Sequence, residues 1–310
     1  MKHSAGLDPF GVHTLVEDPA AADIILFAEM GSCGKFTEMV RAHALYRSFP
    51  EKCFVFDTGD FFFPTVPGLY ASLTREQFDL GYARTGFYLY LIENAFITPR
   101  PYSGREKYLA SFVGSRLTHA VRQRLFELKR SDIYMKDTSA YGAHTTRHGE
   151  PGKRAKFWEE YAESIADSRF SLCPRGRGTG SIRLFESMKM GRACVIISDD
   201  WVPNDHVNWE DFSIRVQERD VHRIPEILER EVQRAPEMGT HARRAWEEHF
   251  SEKVRFHRIV EQCLEISSQI NCGTVARFTR TLRQTADPRN LRWYLSSKKD
   301  LYRNTGKIYW

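Results

Sequence analysis

The most constraining stretch of the sequence is a strand, a glycine-rich basic loop, a helix and a second strand in direct succession. The run Arg169–Cys173 has the apolar character of a strand, the loop that follows reads PRGRGTGS, and Ala193–Ser198 is a second strand-like run. A strand, helix and strand in this order form a βαβ unit with parallel strands. Since helices cover parallel sheets on both faces, this segment predicts an α/β protein.

The same alternation of short apolar runs and helical segments occupies the rest of the chain. Ala22–Ala28 and Cys53–Asp57 are predicted strands, FYLYLI near Phe87 is a predicted third, and Tyr108–Val113 begins a second series. A segment rich in Pro, Gly and Ser, TPRPYSG, separates the two series and is typical of a linker. The pattern therefore indicates two domains built on parallel strands.

These features place the domain boundary near residue 100. We predict an N-terminal domain over residues 1–100 and a C-terminal domain over residues 101–274. The tail between Asn290 and Trp310 carries several Leu, Tyr and Trp residues. Large rings left in water are unfavourable, so we expect a C-terminal helix at about 275–310 to pack on another part of the protein.

Composition excludes several classes of protein. The 310 residues are 42% hydrophobic and 27% charged, which is typical of a packed, folded chain. The net charge of +5 is mild, and no Lys/Arg run resembles a nucleic-acid tail, so we expect no nucleic-acid partner. A nucleic-acid-binding protein stays as the weakest alternative function, and only the positive net charge supports it.

Cysteine usage and the apolar runs bear on the compartment. None of the six cysteines forms a CxxC pair and no Cys/His cluster has zinc spacing, which indicates reduced, buried thiols and no metal site. The N-terminal stretch lacks the apolar core of a signal peptide, and no run approaches the roughly 20 apolar residues of a membrane span. We therefore expect a cytoplasmic protein without a transmembrane segment.

The PRGRGTGS loop has the chemistry of an anion site. Its three glycines permit positive φ angles and a close approach of backbone to ligand. The following helix start offers unpaired N–H groups and a favourable dipole, and arginine forks match phosphate oxygens. The site lies at the carboxyl end of a strand, where open α/β sheets bind ligands. The alternative is a flexible turn with solvated arginines. The predicted anion-binding residues are Arg175, Arg177, Gly180, Ser181 and Arg183.

Glu186 follows Arg183 by three residues on the predicted helix. A carboxylate there can accept hydrogen bonds from both ribose hydroxyls of a nucleoside diphosphate; the alternative is an ordinary helix acid paired with Arg183. The loop matches neither the Walker pattern nor the dinucleotide fingerprint. The residues therefore favour a nucleoside-diphosphate site of another kind.

This segment resembles the signature of the exostosin-type glycosyltransferases, glycosyltransferase family 47. The resemblance covers about residues 105–230 and includes the upstream run Lys107–Gly114 and the segment near Arg122. The first hundred residues match only loosely, and Val202–Asp205 departs from the family's usual loop. The motif positions are Pro174, Arg175, Gly176, Ser181, Arg183, Phe185, Glu186, Cys194–Ile197, Ser198–Trp201 and Val207–Trp209.

The resemblance implies a GT-B fold, in which two Rossmann-like domains face a central cleft. It also implies an inverting reaction, a nucleotide-sugar donor of the UDP type and no essential metal. The resemblance makes residues 1–100 the acceptor-side domain and residues 101–274 the donor-binding domain, and it predicts that the C-terminal helix at about 275–310 packs on the acceptor-side domain. The turn Gly114, Ser115 and Arg116 is assigned to the donor site with the loop. Asp199 and Asp200 are assigned to the donor-sugar loop and are not expected to bind metal.

An inverting transfer needs a base for the acceptor hydroxyl. Glu29 directly follows the first strand and Asp60 follows the second, so both are candidates, although each is otherwise a structural or capping acid. His144 and His148 are further candidates on a polar loop. The acceptor is expected to be a glycan, a lipid-linked molecule or a small molecule, as in polysaccharide biosynthesis. Alternatives are a GDP-sugar-dependent enzyme resembling fucosyltransferases and an inactive nucleotide-sugar-binding protein.

Overall fold

The computed structural model describes residues 1–29, 36–89, 93–141, 151–270, 279, 282, 284–286 and 288–306. Contacts divide the chain into two compact units. The first unit comprises Met1–Leu89, Asp200–Asn204 and Ser251–Trp310, and the second comprises Tyr90–Asp199 and Asp205–Phe250.

The described strands and α-helices are as follows. The strands are β1 (Ile25–Glu29), β2 (Cys53–Asp57), β3 (Gly68–Tyr70), β4 (Ala83–Thr85), β5 (Tyr108–Gly114), β6 (Ile133–Asp137), β7 (Ser168–Pro174), β8 (Ala193–Ile197) and β9 (Ser213–Arg215). The helices are α1 (Lys2–Gly6), α2 (Phe36–Ala42), α3 (Ala44–Ser48), α4 (Ala120–Leu125), α5 (Pro151–Ala166), α6 (Ile182–Met190), α7 (Ile224–Glu231), α8 (Ala235–His249), α9 (Arg255–Gln269) and α10 (Pro288–Thr305).

The first unit is built on a parallel sheet of order β1-β2-β3-β4. Its central strand β2, sequence CFVFD, is buried at every position, as expected for a strand covered on both faces. Gly68 starts β3 with φ +149°, and a Cβ there would lie 2.1 Å from the carbonyl oxygen of Val55. Glycine is therefore required for β3 to reach its neighbour.

The third strand of this sheet differs from the prediction. Strands form at β3 and β4, and the described part of the predicted strand, Phe87–Leu89, follows β4 as irregular chain. Phe87 is buried and its ring lies 5.0 Å from that of Phe56. The apolar run near Phe87 therefore predicted burial correctly but a strand wrongly. Buried residues form such a run whether or not their backbone pairs with a neighbouring strand.

The second unit is built on a parallel sheet of order β6-β5-β7-β8-β9. Strand β8, sequence ACVII, is buried throughout, and β7 is buried at six of seven positions. Helix α6 joins these two strands as the sequence predicts and ends at Gly191, whose φ of 81° is the left-handed conformation of a helix C-cap. The strand, loop, helix and strand therefore form the predicted βαβ unit.

The carboxyl-terminal part of the chain belongs to the first unit. Helix α9 packs on β3, which places residues 251–270 there, whereas the sequence assigned residues up to 274 to the second domain. Helix α10 packs on α2. The ring of Trp293 stacks on Phe61 at 5.8 Å, and that of Tyr294 lies 4.7 Å from Phe63.

Two units, each built on a parallel sheet, confirm the predicted α/β class. Among the helices that the structure describes, none combines the length and apolar character needed to cross a bilayer.

Candidate functional site

The order in which the chain adds strands to the second sheet reverses between β5 and β7. From β5 the chain adds β6 on one side, and from β7 it adds β8 and β9 on the other. Loops diverge at such a point, which is where open α/β sheets bind ligands. Strand β5 ends at Gly114 and β7 at Pro174. The predicted turn Gly114–Arg116 and the loop 175–181 therefore follow adjacent strands at one sheet edge.

Arg122, on α4, joins these two loops. Its Nε donates to the carbonyl oxygen of Arg175 at 2.8 Å and its Nη2 to that of Pro174 at 3.2 Å. Its Nη1 donates to the carbonyl oxygen of Ser115 at 3.3 Å, and the guanidinium lies 5.1 Å from the ring centre of Phe112. One side chain thus fixes the backbone on both sides of the switch point.

The glycines of the basic loop do not have the positive φ angles that the sequence predicted. Positive φ angles in the described part of the chain occur at Gly11, Gly68, Gly104, Gly191 and Gly306, and none of these is in the loop. Gly176 instead leaves room for a side chain, because a Cβ there would lie 3.1 Å from Nη2 of Arg122. The close approach predicted for a ligand is therefore made, at Gly176, by an arginine of the protein.

The loop leads into the nine-residue helix α6. Ser181 is its N-cap in an extended conformation (φ −133°, ψ 125°), and its hydroxyl makes no capping hydrogen bond in the described structure. The first N–H groups of a helix have no partner within the helix. Gly180 and Ser181 are buried, whereas Arg177 is exposed. Among the described residues, the start of α6 therefore has no side-chain cap from Ser181, and the N–H of Leu184 donates to the carbonyl oxygen of Ser181 at 3.2 Å.

Arg183 points into the protein and is 3% exposed. Its Nη2 donates to the hydroxyl of Ser111 at 2.9 Å, and its guanidinium carbon lies 5.0 Å from the ring centre of Tyr161. Its Nε and Nη1 are buried and have no hydrogen-bond partner among the residues described. An arginine cannot lose its proton, so this is a buried, incompletely neutralised cation.

Glu186 is half-buried and accepts a hydrogen bond of 2.5 Å from the hydroxyl of Tyr161. Burial and the nearby Glu186 charge raise the pKa of Tyr161 well above its usual value, although Arg183 opposes the shift. The phenol therefore keeps its proton at neutral pH and donates it in a hydrogen bond to this carboxylate. Tyr161 thus lies between the arginine and the glutamate of α6, and nothing in the sequence pairs it with them.

Arg175 and the Asp199 loop meet at Glu218. The carboxylate of Glu218 lies 3.6 Å from Nη1 of Arg175. It also accepts a 3.2 Å bond from the backbone N–H of Asp199, whose own carboxylate accepts one of 3.0 Å from the N–H of Glu218. Glu218 was not predicted, because it follows β9 without any motif. Asp200 is exposed and is grouped with the first unit.

The turn after β5 is held by Asp137. The backbone N–H of Arg116 donates to its Oδ1 at 3.2 Å, and the hydroxyl of Ser139 donates at 2.6 Å. Burial opposes ionisation of Asp137, but the bonds from Ser139 and Arg116 lower its pKa overall. The hydroxyls of Ser115 and Ser139 lie 3.1 Å apart. The predicted residues of this turn are therefore ordered by an acid at the end of β6.

The predicted bases lie in the first unit. Glu29 is the last residue of β1 and is the register partner of Asp57 on β2, so the two strands end together. Asp60 is exposed three residues after β2, with the hydroxyl of Tyr88 3.5 Å from its carboxylate. The side chain of Glu29 and the residues His144 and His148 lie outside what the structure describes.

Comparisons with known proteins find similarity over the segment that contains this site. The Exostosin GT47 domain matches residues 93–230. The exostosin-1 homolog of Caenorhabditis elegans is 34% identical over 136 residues, which are 40% of this chain and 35% of that protein. A probable glucuronoxylan glucuronosyltransferase of Arabidopsis thaliana is 44% identical over 72 residues, covering 22% of this chain and 16% of its own length.

Other matches cover more of the chain. A probable glucuronosyltransferase of Oryza sativa subsp. japonica is 29% identical over 175 residues, which are 55% of this chain and 39% of that protein. Among solved structures, TarM matches with a TM-score of 0.38 and 15% identity over 65% of this chain and 43% of its own. The matches thus cover less than half the length of each of these proteins.

The matched segment contains β5 to β9, the switch point, the basic loop and Glu186. The resemblance predicted from the PRG, S-x-R and Phe-Glu positions is therefore confirmed. The part of this chain that is similar to the Exostosin GT47 domain is residues 93–230.

Proposed function

We propose that this protein transfers a sugar from a nucleoside-diphosphate sugar to a hydroxyl acceptor, and that the donor binds at the β5–β7 switch point. The observation that carries the proposal is Arg183, a buried cation with two unpartnered nitrogens. A buried charge without full compensation is costly, and a bound anion removes that cost. A diphosphate next to Arg183 would do so.

The rest of the loop suits the same ligand. Arg177 is exposed beside the start of α6, and Arg175 is held by Glu218. These arginines and the helix start would share the phosphate charge. Glu186 follows Arg183 by three residues, and the hydroxyl of Tyr161 holds its carboxylate in place. This carboxylate would accept hydrogen bonds from the ribose hydroxyls. Binding of phosphate and ribose would then fix the donor at both ends.

The proposed reaction is a single inverting displacement. A base takes the proton of the acceptor hydroxyl, whose oxygen forms a bond to the anomeric carbon on the face opposite the diphosphate. The bond from that carbon to the diphosphate oxygen breaks, and the electron pair leaves with the diphosphate. Charge develops on the leaving group, where the arginines and the start of α6 stabilise it without a metal ion.

We propose the donor and acceptor classes by analogy with the relatives that this chain resembles. Two of the relatives are named as probable glucuronosyltransferases, which makes UDP-glucuronate the first donor to test. A glycan acceptor, a role in polysaccharide biosynthesis and a cytoplasmic location belong to the same proposal. No feature of the described residues favours a GDP-sugar over a UDP-sugar.

Calorimetric titration with UDP tests the donor site. Arg183→Ala, Glu186→Ala and Arg177→Ala should each weaken binding by about 1–3 kcal/mol, the cost of a lost charged hydrogen bond. Arg219→Ala, an exposed arginine of the same unit, is the matched control and should bind normally. Arg183 is buried, so a second variant is needed if Arg183→Ala fails to fold. Arg183→Lys then takes its place, because it keeps the positive charge. Normal UDP affinity in all the folded variants would sink the assignment.

A donor panel with a hydrolysis readout tests the activity. We expect UDP-sugars, UDP-glucuronate among them, to be hydrolysed faster than GDP-fucose, with turnover surviving EDTA within a small factor. Faster use of GDP-fucose would point to the fucosyltransferase-like alternative. Tight UDP binding without turnover of any donor would point to an inactive binding protein. Complete loss in EDTA, restored by Mn²⁺, would show that the Asp199 and Asp200 loop had been misread.

A further inference from the structure

Three metal-ligating side chains converge in the first unit. His13, His257 and Glu261 each present one ligand atom, and these atoms all lie within 4.8 Å of one another. None of the three belongs to the proposed donor site, and no motif in the sequence links them. His13 and Glu261 are 248 residues apart. The fold alone brings this ligand set together.

Helix α9 supplies two of the three groups. His257 and Glu261 are four residues apart, so they project from the same face one turn apart. His13 comes from the irregular segment before β1, and its Nε2 lies 2.6 Å from Oε1 of Glu261. The rings of His13 and His257 stack at 5.2 Å, and that of Phe10 stacks on His257 at 4.1 Å. All three ligand side chains are half-buried.

The imidazole of His257 is incompletely satisfied. Its Nδ1 is buried and has no hydrogen-bond partner among the described residues. Buried polar atoms in native proteins are nearly always paired, and an unpaired one calls for an explanation such as an ion. A neutral imidazole nitrogen is the commonest protein ligand for a transition metal. A metal ion bound through Nδ1 would give His257 its missing partner.

We infer that His13, His257 and Glu261 bind one divalent transition metal ion, for which Zn²⁺ is the best chemical match. Two imidazoles and a carboxylate are a known zinc set with the fourth position left to water. Tetrahedral ligands at zinc distances are separated by about 3.3 Å. The 2.6 Å contact between His13 and Glu261 must therefore open, and the other ligand atoms, which already lie within 4.8 Å of one another, need only small side-chain shifts. The ion would tie the N-terminal segment to α9.

Zinc titration of the untagged protein against a chromophoric zinc indicator tests this site. We expect one equivalent of Zn²⁺ to bind and the thermal midpoint to rise with it. His13→Gln and His257→Gln should each weaken that binding at least about 100-fold, since even indirect partners of a metal cost about 10–100-fold. His222→Gln, an exposed histidine of the other unit, is the matched control and should leave binding unchanged.

Circular dichroism establishes that each variant is folded before its zinc affinity is compared. Co²⁺ substitution gives an independent readout, because the tetrahedral ion has a visible absorption band that the His257→Gln variant should lose. Failure of the wild-type protein to bind one equivalent would overturn the inference. So would unchanged affinity in both histidine variants, which would leave His13 and Glu261 as an ion pair only.

Discussion

Gly176 lies so close to Arg122 that a Cβ on the glycine would fall 3.1 Å from the guanidinium Nη2. That guanidinium is already fixed by carbonyl oxygens of Ser115, Pro174 and Arg175. A methyl group at position 176 therefore meets a side chain that is held on several sides. The relationship explains a motif glycine through a protein contact, and it makes Arg122 a positioning residue of the proposed donor site.

Replacing Arg122 by methionine should destabilise the second unit. The substitution keeps much of the apolar stem and leaves the carbonyl groups of the two loops without their donor, which costs about 1–3 kcal/mol. Urea unfolding measures the loss. Arg124→Met, an exposed arginine on the same helix, is the control and should stay close to wild type. Equal stability of the two variants would contradict the role given to Arg122.

Gly176→Ala should act on ligand binding more than on stability. The guanidinium needs to yield by only a few tenths of an ångström, but the loop that it holds must shift with it. We expect weaker UDP binding by calorimetry with an unfolding midpoint near that of wild type. Unchanged affinity would mean that the loop tolerates the shift and that its geometry at Gly176 is not used.

Tyr161→Phe should loosen the carboxylate of Glu186. The lost hydrogen bond joins a hydroxyl to a charged group, so a cost of about 1.5–3 kcal/mol is expected. Part of it should appear as weaker UDP affinity if Glu186 contacts the ribose. A variant with normal UDP affinity and reduced stability would assign the bond to folding alone.

Alkaline pH gives Tyr161 a second readout. Its pKa is raised in the folded protein, first by burial and then by Glu186, so the native state holds the phenolic proton more tightly than the unfolded chain. The resulting stability is present below pH ~10 and declines as pH rises above that value. The unfolding free energy of the wild type should therefore fall more steeply above pH ~10 than that of Tyr161→Phe. Tyr302→Phe, at an exposed site, should keep the wild-type slope.

The site was only partly predictable from the sequence. The strand, loop and helix around Gly176 were visible because buried β-rich runs and glycines mark their ends. The burial of Arg183 was not, because it depends on Ser111, a polar residue that a distant strand supplies inside the core. Glu186 was predicted as a ligand residue, but its partner Tyr161 comes from another helix. Local patterns thus locate motif residues, and only the fold reveals what holds them.

A buried ion pair attaches the C-terminal helix to the first unit. Nζ of Lys298 on α10 lies 2.6 Å from Oε2 of Glu38 on α2, and their side chains are 8% and 2% exposed. Lys298→Met should destabilise by about 3–5 kcal/mol, since it leaves Glu38 buried with less compensation. The exposed Lys299→Met is the control. Chemical unfolding should also show the double variant with Glu38→Gln to be less destabilised than the sum of the single variants.

The proposed catalytic base depends on which acid at the end of the first sheet receives the acceptor proton. Glu29 ends β1 beside Asp57, and Asp60 is exposed just beyond β2. A carboxylate at the carboxyl end of parallel strands lies where α/β sheets bind ligands. Glu29→Gln keeps the shape and removes the basicity, so it should lower turnover by about 10²–10⁴ while UDP binding stays intact. Glu51→Gln, an exposed change just before β2, should leave turnover unchanged.

If Asp60→Asn abolishes turnover and Glu29→Gln does not, the base belongs to the loop after β2. If neither matters, the base lies elsewhere, whereas the donor site is judged separately by UDP binding.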